Sequence, residues 1–96
     1  MSSGRAFLVC YDIADKKRLR HIEKIVNGYG YRIQESVFLC YLSDLLRAEM
    51  IFEISKIINR LEDQCILIDM GRDPDILDNA TVLGKRIVKI PKITFI

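Results

Sequence analysis

Two stretches of helical periodicity, set among runs of β-branched and aromatic residues, predict an α+β sandwich with both helices on one face of a sheet. Three observations carry this reading. Residues 5–13, apolar without a break from Ala6 to Tyr11 before the Asp12 carboxylate, read as a central strand buried on both faces. Leu19, Ile22, Ile25, Val26 and Tyr29 recur at spacings of three and four, and so do Leu46, Met50, Ile54, Ile57, Ile58 and Leu61. The resulting order, β-α-β, then a second helix, then β-β, matches a ferredoxin-like βαββαβ-type sandwich with an extra C-terminal edge strand.

Asp15 is a good N-cap for the first helix, which is expected to stop near Gly28 and Gly30. Tyr31 to Leu42, rich in Ile, Val, Phe and Tyr, reads as one long strand with room for a bulge. Ser43 and Asp44 cap the second helix, and Gln64 to Met70 supplies the third strand. Gly71 to Ala80 contains Pro74 and three of the acids, and is the most loop-like stretch. Thr81 to Leu83 reads as a short strand, and residues 86–96 as one or two edge strands interrupted at Pro91.

With 96 residues the chain is read as a single domain, 1–96. Half of its residues are hydrophobic, plentiful for a domain that buries only roughly 60–65% of its unfolded surface. Some of that surface is expected in a subunit interface, most simply a twofold homodimer. No apolar stretch reaches membrane-span length and Met1-Ser2-Ser3-Gly4-Arg5 is no signal peptide, so a cytoplasmic protein is expected. Cys10, Cys40 and Cys65 lie apart in apolar runs and read as reduced core thiols. His21 is the only histidine, which excludes a two-histidine ribonuclease mechanism within one chain.

Charge is unevenly distributed. Residues 1–42 carry +3, residues 43–80 carry −5 and residues 81–96 carry +4. Such asymmetry suits one face meeting an anionic polymer, and equally two protein faces meeting each other. The junction at the end of the first strand concentrates the candidate chemistry. An Asp that closes an apolar strand is costly without a partner, and a metal ion, an arginine or a helix N-terminus would each serve Asp12. From the junction alone, a turn-stabilising role is favoured. Lys16, Lys17, Arg18 and Arg20 open the first helix, where phosphate contacts and a solvated face are the competing roles. Arg18, one turn before Ile22 on the apolar side, is expected to point back towards Asp12. Arg32 suits a phosphate contact or a salt bridge equally, while Phe38 is most simply core.

The block Tyr11-Asp12-Ile13-Ala14-Asp15, then Arg18 and Arg20, then Gly30-Tyr31-Arg32-Ile33-Gln34-Glu35-Ser36-Val37-Phe38, resembles the small CRISPR-associated endoribonuclease family of the adaptation (spacer acquisition) machinery, partner of the CRISPR integrase. The resemblance covers about the first 42 residues by motif and the rest by element order. It implies a symmetric dimer in which the segment 85–96 crosses onto the partner subunit. It also implies that Asp12 matches the family's proposed Mg²⁺ ligand, with Mn²⁺ as a substitute ion. Family members often have Glu after Ser-Val-Phe, where this chain has Leu39.

Mg²⁺ usually keeps several waters and needs one or two carboxylates, so one Asp12 per chain is a poor site and two across a dimer axis a plausible one. Asp15 and Asp69 are candidates to assist, Asp15 more readily as the helix cap. Two functions of different classes follow. One is metal-dependent cleavage of RNA or DNA with Asp12 as catalytic ligand. The other is a dimeric scaffold that joins the integrase subunit and binds duplex DNA or single-stranded RNA. A toxin-like mRNA ribonuclease on the same fold is a remoter third. The thin carboxylate inventory favours the scaffold.

Overall fold

The computed structural model describes residues 4–85 and 87. Four strands and two helices follow one another as β1 (Arg5–Asp12), α1 (Lys16–Asn27), β2 (Gly30–Gln34), β3 (Val37–Leu42), α2 (Asp44–Ile57) and β4 (Gln64–Gly71), with a short 3₁₀ turn at Ile76–Asn79. The sheet order is β2-β3-β1-β4 and every neighbouring pair is antiparallel. This is the ferredoxin-like α+β sandwich that the sequence predicts. β1 is central, paired with β3 on one side and β4 on the other, which accounts for its unbroken apolar run.

Alternation along the strands sends Phe7, Val9 and Tyr11 of β1 and Phe38, Cys40 and Leu42 of β3 to one face. There they meet Ile22 and Val26 of α1 and Met50 and Ile54 of α2 in a single core. The opposite face carries Leu8, Cys10 and Asp12 of β1 beside Ile66, Ile68 and Met70 of β4. These three β4 side chains are 40–45% exposed. Part of this open face is occupied by the segment after β4, which the Tyr41 hydroxyl holds by donating to the Pro74 carbonyl at 2.6 Å.

Both helices start where the sequence predicts. The Asp15 carboxylate accepts from the Arg18 amide, and the Ser43 hydroxyl oxygen from the Leu46 amide. Three details differ. The run 31–42 is two strands, β2 and β3, folded back at Glu35–Ser36, with a register shift between Arg32 and Gln34. The reversal occurs in two residues, Glu35 and Ser36, without the Gly, Asn or Asp that marks a two-residue hairpin, so no hairpin signal separates the strands. α2 ends at Ile57, Ile58 caps it, and Leu61 beyond is 97% exposed, so the apolar spacing overruns the helix. Thr81 to Leu83 form no strand among the described residues; Val82 and Leu83 are exposed, with no neighbouring described strand to pair with. The expected C-terminal strand falls, apart from Lys85 and Ile87, outside the described residues.

Candidate metal and nucleic-acid site

β1 delivers Asp12 to the end of the central strand, on the face away from the helices, where its side chain is exposed. Its carboxylate makes no hydrogen bond or ion pair with another described residue. The apolar side chains Ile66 and Ile68 of β4 lie along the same face. Asp12 therefore closes a hydrophobic strip with a free acid.

The residues around Asp12 are held from two sides. On the helix face, the Tyr11 hydroxyl lies 3.0 Å from Glu23 Oε2 and 3.3 Å from the Glu35 carbonyl, oxygens that its one proton serves in turn. Burial, with the Glu23 carboxylate, pushes the Tyr11 phenol well above its ordinary range. Arg32 completes this cluster through an ion pair to Glu23 at 3.1 Å, a hydrogen bond to the Glu35 carbonyl at 2.6 Å, and a guanidinium 5.0 Å from the centroid of Phe38. Phe38 is fully buried and belongs to the core.

On the other side stands Asp63, just before β4, whose first residue Gln64 pairs with Asp12. Each Asp63 oxygen takes two donors. Oδ2 accepts from Arg18 Nε at 2.7 Å and the Asn59 amide at 2.9 Å; Oδ1 accepts from Arg18 Nη2 at 3.1 Å and the Ala14 amide at 2.9 Å. The Arg18 guanidinium, with the Ala14 and Asn59 amides, holds the Asp63 carboxyl well below the usual carboxylate range. Arg18 thus turns to Asp63 and not to Asp12. Its place on the inward side of α1 was legible; its partner, 45 residues away, was not.

Lys16, Lys17 and Arg20 remain exposed on the first turns of α1, without an ion pair to a described residue. Asp15 is occupied as the helix cap. Asp69 cannot assist Asp12: β4 runs antiparallel, so Asp69 pairs with Phe7 and binds Arg5 at 2.8 Å, toward the far end of the sheet. Among the described residues no three His, Cys, Asp or Glu side chains converge on a common point. Leu39 is 1% exposed and serves packing. Tyr11, Glu23 and Asp63 are the site residues that the sequence reading missed. The only local signal for Asp63 is the polar stretch Asn59-Arg60-Leu61-Glu62-Asp63 between helix and strand, in which the Asn59 side chain also accepts from the Leu61 and Glu62 amides.

Fold and site together define a class: a small ferredoxin-like sandwich whose central strand ends in an exposed Asp beside a basic helix start. Residues 5–75 match the model of the family described as CRISPR associated protein Cas2. The chain is 39% identical over 84 residues to CRISPR-associated endoribonuclease Cas2 1 of Rhodospirillum rubrum, covering 88% of this chain and 82% of that protein. It is 32% identical over 79 residues to CRISPR-associated endoribonuclease Cas2 of Geobacter sulfurreducens, covering 82% and 83%. In three dimensions it is similar to Streptococcus pyogenes Cas2, with a TM-score of 0.73 and 28% identity over 82% of this chain and 99% of that one. The chain belongs to the Cas2 family of CRISPR-associated proteins.

Proposed function

We propose that this chain works in CRISPR adaptation as a homodimeric, nucleic-acid-binding scaffold for the integrase subunit, and that Asp12 carries whatever Mg²⁺-dependent phosphodiester cleavage it performs. The observation that carries the reading is the exposed, unengaged Asp12 carboxylate at the end of the apolar strip formed with Ile66 and Ile68. Burying that strip against a second copy removes apolar surface from water and brings two strand ends, each with one carboxylate, towards a twofold axis. One chain offers one acid and Mg²⁺ takes one or two, so the residues fit a metal shared between two copies better than one held within a copy. A bound Mg²⁺ supplies an activated water and stabilises charge on the phosphate oxygens. Lys16, Lys17 and Arg20 hold the phosphate backbone beside it.

The scaffold role leads because Asp63, just before the Gln64 that pairs with Asp12, is taken up by Arg18 and two backbone amides, and no three His, Cys, Asp or Glu side chains converge among the described residues. The names of the relatives from Rhodospirillum rubrum and Geobacter sulfurreducens support an endoribonuclease reading beside it. Asp12→Asn separates the two roles, since Asn retains the shape and one oxygen but not the charge. The expected outcome is that Mg²⁺- or Mn²⁺-dependent cleavage of RNA and DNA falls by orders of magnitude, while circular dichroism and oligomeric state are unchanged. Cleavage at the wild-type rate in the variant would remove Asp12 from the chemistry.

A further inference from the structure

Both ends of the turn that follows Asp12 are tied to one buried carboxylate. Ala14 enters that turn and its amide donates to Asp63 Oδ1 at 2.9 Å; Arg18 closes the first turn of α1 and grips both Asp63 oxygens at 2.7 and 3.1 Å. The Asp63 side chain is 0% exposed and that of Arg18 25% exposed, so the carboxylate is covered while the guanidinium keeps partial contact with water. Two parallel hydrogen bonds between guanidinium and carboxylate also fix orientation as well as distance. The Asn59 amide anchors the same carboxylate to the α2–β4 connection. Asp63 therefore joins three elements at the point where β1 ends.

We propose that Asp63 and Arg18 form a clamp that positions the Asp12-bearing turn, so that Arg18 serves the site by holding the turn and not by contacting phosphate. Asp63 is a positioning residue acting through Ala14 and Arg18, and contact with nucleic acid falls to Lys16, Lys17 and Arg20. The link from the turn to metal binding rests on the reading of Asp12 as the metal carboxylate; the division of labour among the basic residues does not.

Three readouts test this. In duplex DNA binding, Arg20→Gln should lower the log–log salt slope by about 0.9, the value of one lost phosphate contact, while Arg18→Gln leaves it unchanged. In amide hydrogen exchange, Asp63→Ala should accelerate Ala14 about tenfold and leave Val9 in the sheet unaffected. If Asp63→Ala does not fold, judged by circular dichroism, Arg18→Gln replaces it in the exchange experiment. In a titration with Mn²⁺ alone, Asp63→Ala should weaken binding about tenfold and Asp12→Asn should remove it. A slope lowered by about 0.9 in Arg18→Gln, or unaltered Ala14 exchange once the clamp is cut, would overturn the proposal. Equal Mn²⁺ binding by Asp12→Asn and wild type would overturn the metal reading alone, and the clamp would then stand or fall on slope and exchange.

Discussion

One buried and one half-buried thiol shape the alkaline side of the stability profile. Burial pushes the Cys40 thiol up to about 12 and the Cys65 thiol up to about 11, from ordinary values near 9. The unfolded chain therefore releases these protons first as pH rises, and the folded chain holds them. Stability from this source is complete below about pH 9 and is lost as pH climbs through 9 to about 12. Urea midpoints measured at pH 8, 10 and 11 should fall steadily, and a Cys40→Ser, Cys65→Ser double variant should flatten the decline. Of the three cysteines read as core thiols, Cys40 lies in the core and Cys65 packs half-buried against it, whereas Cys10 sits half-buried on the open face beside Ile66. The place of Asp12 at the end of the central strand was legible for a local reason, because a carboxylate closing an apolar strand stands out in the sequence. Asp63 was not, because its worth lies in donors from Ala14, Arg18 and Asn59 that only the fold assembles.

At the scale of elements, the hairpin of β2 and β3 depends on Gly30. A Cβ placed there would lie 2.8 Å from the Cys40 Cα and closer still to the Leu39 carbonyl and the Cys40 sulfur, so backbone would have to move. Gly30→Ala should cost roughly 1–3 kcal/mol, read as a lower urea midpoint at constant slope. Gly28→Ala, whose Cβ would come no closer than 3.3 Å to the Ile25 carbonyl, should be much milder. The sequence reading gave both glycines to the end of α1, but only Gly28 is its C-cap, and Gly30 opens β2. Helix starts were readable because Asp15 and Ser43 each satisfy an amide three residues on, a purely local bond. The break between β2 and β3 was hidden because a Glu35–Ser36 turn carries no Gly, Asn, Asp or Pro and interrupts an otherwise strand-like composition.

At the scale of the whole molecule, the layered arrangement followed from the two apolar periods, since two helices with one apolar face each can share a sheet face. The open face carries the exposed apolar side chains on which the proposed assembly rests. Ile66, Ile68 and Met70 form an exposed apolar strip there, and the proposed homodimer would cover it with a twofold copy. Sedimentation at micromolar concentration should give a dimer, and Ile68→Glu should shift it to monomer without loss of secondary structure; a wild-type monomer would contradict the proposed assembly. The most direct measurement of the proposed role is spacer integration reconstituted with the integrase subunit and a duplex DNA substrate. Wild type and Asp12→Asn should support integration equally, and a Lys16, Lys17 and Arg20 triple Ala variant should lose it. Integration abolished by Asp12→Asn in a folded dimer would contradict the scaffold role and place the Asp12 carboxylate at the centre of the reaction.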